Sequence, residues 1–195
     1  MYRKLFKRLF DIIASMIAFP FFLVLIVILS PFIYFSDKGT IFYNAERLGK
    51  NGKVFKMYKF RTMKMNVPDL RNEDGSTFNS ESDNRLTKIG KFIRKTSIDE
   101  IPQILNVLIG NMSIIGPRPD MPDAIKLYKD EFIDKLKVKP GLTGYNQAYF
   151  RNSADIITRF KNDCYYANNY NWILDLKIIF KTIQTVILGR HVFKK

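Results

Sequence analysis

The feature that most restricts this chain is its stretch from Ile12 to Phe35, which carries no charged side chain. About 20 apolar residues suffice to cross a bilayer as a helix, so the segment is long enough to enter one. It is too long for the apolar core of a secretory leader, and no small-x-small cleavage site follows it. The flanks restrict it further. Arg3, Lys4, Lys7 and Arg8 precede it; Lys38, Arg47, Lys50, Lys53, Lys56, Lys59, Arg61 and Lys64 follow, against Asp37 and Glu46. Positive segments stay cytoplasmic, and a spanning helix has to export one of these two sets. A segment that enters the bilayer and returns to the same face exports neither; a spanning anchor is the alternative. Pro20 lacks an N–H and crowds the preceding turn, so it bends or breaks a helix near the middle, and Pro31 after Ser30 offers a second break. Ser hydroxyls or the rest of the chain are expected to take up the backbone groups so freed. Residues 1–36 are thus expected to form a re-entrant membrane helix, and 37–195 a cytoplasmic, membrane-associated domain.

That second region contains no repeat, no low-complexity tract and no linker. Thr40–Tyr43 and Val54–Tyr58 read as strands joined by the tight turn Gly49-Lys50-Asn51-Gly52, a small hairpin. From Asn66 to Asn84 the composition turns polar and acidic (Asp69, Glu73, Asp74, Gly75, Ser76, Glu81, Asp83), which reads as a surface loop. Helices are expected over Leu86–Lys95, Ser97–Leu108 with a stop near Gly110, Met121–Leu136, Ile156–Tyr166 and Trp172–Leu188. In the third of these Ala124, Leu127, Tyr128 and Phe132 share a face. In the last, Trp172, Ile173, Leu176, Ile179, Phe180 and Ile183 form an apolar stripe beside Lys177, Lys181, Arg190, Lys194 and Lys195. Such a helix either lies in a membrane interface or packs in the core. The fold class expected is α+β, mainly helical, with a re-entrant helix, a small hairpin and amphipathic interfacial helices.

Lys and Arg outnumber Asp and Glu by 32 to 18, a formal charge of +14. A polyanionic partner is implied: nucleic acid, an anionic membrane face or phosphate-bearing substrates. A nucleic-acid partner leaves the apolar N-terminal segment unexplained, so none is expected. With one cysteine, Cys164, and one histidine, His191, a disulfide framework and a Cys/His zinc site are excluded. Carboxylates, basic groups and hydroxyls are left to do any chemistry.

The densest such cluster runs from Arg94 to Pro119. Asp99 and Glu100 are adjacent and flanked by Arg94 and Lys95. The plainer reading of Ser97-Ile98-Asp99-Glu100 is a capping box at a helix start. The functional reading uses the same place: a helix start among Arg residues attracts phosphate, Mg²⁺ takes one or two carboxylates plus phosphate oxygens, and an aspartate can attack phosphorus. Pro117-Arg118-Pro119 holds an Arg between two residues of fixed φ, stiff enough to aim at a phosphate, or else a surface turn. Lys59 and Arg61 alternate with aromatics at strand spacing, so both could face one side. Arg151, after the Gly141–Phe150 region, is a further candidate.

These motifs together resemble the bacterial sugar transferases, specifically the small monotopic phosphoglycosyl transferases. The resemblance spans nearly the whole chain. It rests on Lys7-Arg8-Leu9-Phe10-Asp11, Tyr58-Lys59-Phe60-Arg61-Thr62-Met63, Thr87-Lys88-Ile89-Gly90-Lys91-Phe92-Ile93-Arg94, Ser97-Ile98-Asp99-Glu100-Ile101-Pro102-Gln103, Gly116-Pro117-Arg118-Pro119 and Lys139-Pro140-Gly141-Leu142-Thr143-Gly144. It implies a re-entrant helix in the bacterial inner (cytoplasmic) membrane, a cytoplasm-facing site and Mg²⁺ held by Asp99 and Glu100. It implies a first membrane step of glycoconjugate synthesis in two stages. Asp99 attacks the β-phosphate of a UDP-sugar, releasing UMP, and polyprenyl phosphate, of undecaprenyl type, then takes the phosphosugar. Glu100 serves the metal or deprotonates the incoming phosphate; Lys59, Arg61, Arg94, Arg118 and Arg151 are the substrate-binding candidates, with Arg94 and Arg118 at the family's phosphate positions. Membrane phospholipids are expected partners, and a homodimer is left open.

Two departures stand out. Family members commonly place Ser-Pro about a dozen residues after the Asp matching Asp11, where this chain has Phe19-Pro20 earlier and Ser30-Pro31 later. After the Thr-Gly turn they often continue with Ala-Gln and Gly-Arg-Asn, where this chain has Tyr145-Asn146-Gln147-Ala148-Tyr149-Phe150-Arg151-Asn152, so the sugar is not inferred. The competing reading is a membrane-anchored scaffold that binds anionic lipid without catalysis. It explains the charge and the apolar segment but gives no reason for the carboxylate pair.

Overall fold

A computed structural model describes residues 2–72, 78, 80, 82–128, 130–151 and 153–187, with only the backbone of Lys4. Glu73, Asp74, Gly75, Ser76 and Glu81 of the acidic loop, Asn152, Leu188 and the C-terminal Arg190, His191, Lys194 and Lys195 lie outside the described residues. A π-helical turn, Tyr2–Phe6, leads into helix α1, Lys7–Asp37. Strands β1 (Phe42–Leu48) and β2 (Val54–Phe60) pair antiparallel, Leu48 opposite Val54 and Phe42 opposite Phe60. Then come α2 (Lys88–Lys95), a 3-10 segment Ile98–Gln103, α3 (Ile104–Ile109), β3 (Ser113–Ile115), 3-10 segments Pro122–Leu127 and Asp130–Lys137, and β4 (Gly141–Thr143). Helices α4 (Tyr145–Tyr149), α5 (Ile156–Asn169) and α6 (Trp172–Ile187) complete the chain.

The mainly helical expectation and the hairpin hold, although β1 starts later and runs longer than expected. α1 runs as one α-helix through both Pro20 and Pro31, so neither proline breaks it. Among the described residues the hydroxyls of Ser15 and Ser30 make no hydrogen bond, so they do not take up the carbonyls that the prolines leave free. By length and composition α1 could cross a membrane. One side of it packs on the rest of the chain: Phe22, Leu29 and Ile33 are buried with Phe60, Ile93 and Ile104. The other side is bare, with Phe21 70% and Val27 76% exposed. Covering each such side chain is worth on the order of 2 kcal/mol, so a bare face of this extent favours an apolar surrounding over water.

Both ends of α1 are tied to the same body. At the start, Lys7 pairs with Asp175 of α6 at 2.7 Å, and Arg8 donates to the carbonyls of Val107 (2.5 Å) and Leu108 (2.8 Å) at the end of α3. Asp11 accepts from the Ser113 hydroxyl (2.9 Å) and the Ile114 amide (2.8 Å). At the far end Asp37 accepts two bonds from Arg61, at 2.5 and 2.7 Å, and one from the Met65 amide at 2.8 Å.

The helix expected over Met121–Leu136 is instead two 3-10 segments. Pro122 opens the first, and Phe132 is buried whereas Leu127 is exposed, so the shared apolar face does not form. The helix expected from Ser97 begins as a 3-10 segment around Pro102, which cannot donate to an α-helical ladder, and ends at Gly110 as expected, with φ +99°. The parallel pair β3–β4 was not foreseen. It brings backbones so close that a Cβ on Gly141 would lie 2.0 Å from the Gly116 nitrogen, and one on Gly144 2.0 Å from the Gly116 oxygen. On α6 the stripe divides. Ile179 is partly buried against the cluster of Ile115, Ala148, Tyr166 and Ile178, while Trp172, Ile173, Leu176, Phe180 and Ile183 are exposed, so the core-packing reading fails for those five; Ile178 and Asp175, off the stripe, face inward.

Candidate active site

Asp99 and Glu100 sit in the 3-10 segment after α2, facing the end of β2. The capping-box reading is overturned. Ser97 takes a left-handed backbone (φ 60°) and its side chain caps nothing. Its hydroxyl instead accepts from Arg151 Nη2 at 2.7 Å, and Arg151 is itself left-handed, with φ 52°. Two non-glycine residues in that region cost on the order of 1 kcal/mol each and persist where the surrounding structure holds them. Glu100 does not reach back to a helix amide: its Oε1 accepts from Lys59 Nζ at 2.6 Å and Arg118 Nη2 at 3.2 Å.

The two carboxylates therefore differ. Glu100 is held between cations; burial pushes its carboxyl up, but Lys59 and then Arg118 outweigh burial and bring it to about 2. Asp99 is buried, and among the described residues its carboxylate accepts no hydrogen bond. Burial raises its pKa; Lys59 pulls it down and the Glu100 charge pushes it up again. The result is one fixed and one uncommitted carboxylate, side by side beneath basic groups. Arg94, whose Nη2 donates to the Thr62 hydroxyl at 2.9 Å, feels the charge of both acids, and so does Arg151. Four cations thus face two carboxylates, an excess suited to a diphosphate.

Of the residues picked from the sequence, Lys59, Arg94, Arg118 and Arg151 come together around Asp99 and Glu100. Arg61 does not. Its guanidinium is buried and spent on Asp37, on the carbonyls of Ile33 (3.1 Å) and Met63 (3.3 Å), and on that of Thr40. β2 ends at Phe60, so the strand alternation that would have kept Arg61 beside Lys59 stops one residue short. Asn106, fully buried on α3, was missed. Its amide receives the Tyr58 N–H at 3.0 Å and donates to the Lys56 carbonyl at 2.7 Å, pinning β2 so that Lys59 meets Glu100. A lone Asn within Ile104–Ile109 was the signal.

The residues present also fit a divalent cation in one arrangement. Among the described residues no group of three or more acidic, His or Cys side chains could hold a metal. Asp99 with the remaining Glu100 oxygen offers two carboxylates, which suits Mg²⁺ when phosphate oxygens complete the shell.

The sequence model of the family described as bacterial sugar transferase matches residues 2–189. The exopolysaccharide production protein ExoY of Rhizobium meliloti (strain 1021) is 39% identical over 196 residues, covering 94% of this chain and 86% of that protein. The undecaprenyl-phosphate galactose phosphotransferase of Salmonella typhimurium (strain LT2) is 38% identical over 201 residues, 94% of this chain and 41% of its own length. An Aeromonas hydrophila protein named UDP-N-acetylgalactosamine-undecaprenyl-phosphate N-acetylgalactosaminephosphotransferase is 36% identical, again over 94% of this chain and 44% of its own. With a match over almost its entire length, this chain belongs to the bacterial sugar transferase family.

Proposed function

We propose that the chain transfers a phosphosugar from a UDP-sugar to polyprenyl phosphate, with Asp99 as nucleophile, at the cytoplasmic face of the bacterial inner membrane. The observation that carries this reading is the unequal pair: among the described residues the Asp99 carboxylate accepts no hydrogen bond, while Glu100 is fixed by Lys59 and Arg118. An uncommitted carboxylate ringed by cations is suited to attack a bound diphosphate. Two relatives whose names state undecaprenyl-phosphate sugar-phosphate transfer support the reaction class.

In the first step an Asp99 oxygen bonds to the β-phosphorus, the bridging P–O bond breaks, and UMP leaves with those electrons. In the second, a phosphate oxygen of the polyprenyl carrier attacks the same phosphorus and Asp99 departs as a carboxylate. Arg94, Arg118 and Arg151 hold the diphosphate charge, and Lys59 favours the ionised form of both acids. Mg²⁺, when bound by Asp99 and Glu100, supplies further neutralisation of that charge. A lipid-binding scaffold would give no reason for an uncommitted buried acid.

Residues 1–36 form the membrane segment and 37–195 the catalytic domain. The attachment of both ends of α1 to the same body supports a helix that leaves the membrane on the side it entered, since a spanning helix would have to break the bonds at one of its ends. The exposed apolar residues of α6, together with Phe92 of α2 among Lys88, Lys91 and Lys95, support interfacial helices resting on phospholipid.

The test is a release assay with purified chain, Mg²⁺ and a panel of UDP-sugars, with and without undecaprenyl phosphate. UMP and a lipid-linked phosphosugar from one donor are expected. No UMP from any donor, by a well-folded chain, would favour the scaffold.

A further inference from the structure

Two residues beyond Arg118, outside the carboxylate site, lies a buried cluster of charge that the transfer steps do not use. Asp120 Oδ2 accepts from Lys135 Nζ at 2.5 Å and the Tyr128 hydroxyl at 2.7 Å, and Oδ1 from Arg159 Nη2 at 3.0 Å. Lys135 makes a second bond, 2.7 Å, to Asp163, which lies one turn beyond Arg159 on α5. Asp120, Lys135 and Asp163 are all buried, and among the described residues Arg159 Nε and Asp163 Oδ1 find no partner. Removing such groups from water is costly, and well-packed apolar side chains of similar size often hold a fold as well. The cluster therefore calls for a reason other than stability.

The loop it grips supplies one. Pro117 and Pro119 have no N–H, so the segment that aims Arg118 cannot be fixed by its own proline amides. It is held through carbonyls and one side chain. The Gly141 N–H donates to the Pro117 carbonyl and the Leu48 N–H to the Asp120 carbonyl, each at 2.8 Å. The side chain is that of Asp120, gripped from three directions. The space behind the loop, between Arg118, Asp120 and Lys135, amounts to about 10 Å³, room for a single water at most. Asp120 is itself buried, and both its oxygens are taken up by Lys135, Tyr128 and Arg159.

We infer that Asp120 is a positioning residue for Arg118: clamped by Lys135, Arg159 and Tyr128, it fixes the Pro117–Pro119 loop so that the Arg118 guanidinium meets Glu100 and the substrate phosphate. This rests on the proposed transfer reaction, and its test separates the two.

Full-length chain in detergent carries Asp120→Asn alone, Arg118→Gln alone, and both. A misplaced guanidinium costs at least about tenfold in kcat/KM for UMP release, and coupled residues lose that effect when the partner is gone. The Asp120→Asn loss is thus expected with Arg118 present and nearly absent in the Arg118→Gln background. Full additivity, or unchanged kinetics in Asp120→Asn, overturns the inference. Tyr128→Phe removes one bond to Asp120 with no change of charge; it repeats the cycle, with a smaller loss, should the charge-removing variant not fold. Amide hydrogen exchange at Leu48 and Gly141 reads the loop without turnover. Faster exchange there in Asp120→Asn or Tyr128→Phe is expected, with the rest of the hairpin unchanged; wild-type exchange at both amides overturns the inference. A wild-type chain that releases no UMP refutes the reaction, while the exchange data still decide the role of Asp120.

Discussion

Consider Lys59→Met, which removes the cation nearest Glu100 and keeps the aliphatic stem. Glu100 lies at about 2 against an ordinary 4.5, a drop worth about 3 kcal/mol at ~1.4 kcal/mol per unit. Lys59 supplies the larger share, through the shorter contact of 2.6 Å against 3.2 Å for Arg118. Its loss therefore forfeits about 2 kcal/mol of preference for the ionised acid. The sign follows from direction. A depressed carboxyl contributes stability above its ordinary pKa and loses it as pH falls through the folded value, so raising that value narrows the window from below. Asp99, already raised by burial, has Lys59 as its leading counterweight and moves further up. Both changes raise the pH at which the pair is fully ionised. The acid limb of kcat/KM for UMP release should move up by at least about one unit, while Lys59→Arg should keep the wild-type limb. A limb in Lys59→Met that superimposes on wild type would refute the assignment of Lys59 as the charge that keeps the pair ionised.

Arg61→Met should act on stability and not on substrate binding: it strands Asp37 and unties the end of α1, at a cost of about 3 kcal/mol in unfolding. A raised KM with unchanged stability would instead restore Arg61 to the site. Gly90→Ala should be strongly destabilising, because a Cβ there would lie 1.9 Å from the Thr62 carbonyl oxygen; a loss of about 3 kcal/mol is expected, read as a Tm lower by roughly 6–12 °C. Trp172 is the single tryptophan and is 58% exposed, so fluorescence reports on α6 directly. Its emission should shift to the blue in vesicles and be quenched by brominated acyl chains; unquenched emission would remove α6 from the interface.

The sequence disclosed what is local. α1 followed from an uncharged stretch, the hairpin from Gly49–Gly52, and the end of α3 from Gly110. It misled where local rules met tertiary demands. Ser97 and Glu100 have the spacing of a cap, but Glu100 is claimed by Lys59 from β2 and Arg118 from a distant loop, and Ser97 by Arg151. Lys59 and Arg61 have the spacing of neighbours, but the strand ends between them. Pro20 was expected to bend or break the helix, with Pro31 as a second site; the helix continues through both, and Phe22, Leu29 and Ile33 on it pack with Phe60, Ile93 and Ile104. The strands β3 and β4 are three residues each, too short for periodicity to show, and the Asp120–Lys135–Asp163 cluster joins positions whose partnership no spacing rule encodes.

The most direct measurement is intact-protein mass spectrometry of the chain incubated with Mg²⁺ and its UDP-sugar donor, without acceptor. The account predicts an added mass of one phosphosugar, on the peptide that contains Asp99, absent in Asp99→Asn and discharged by undecaprenyl phosphate. An unmodified chain that releases UMP only when donor and acceptor are both present would contradict it, and would place the acceptor phosphate itself as the nucleophile.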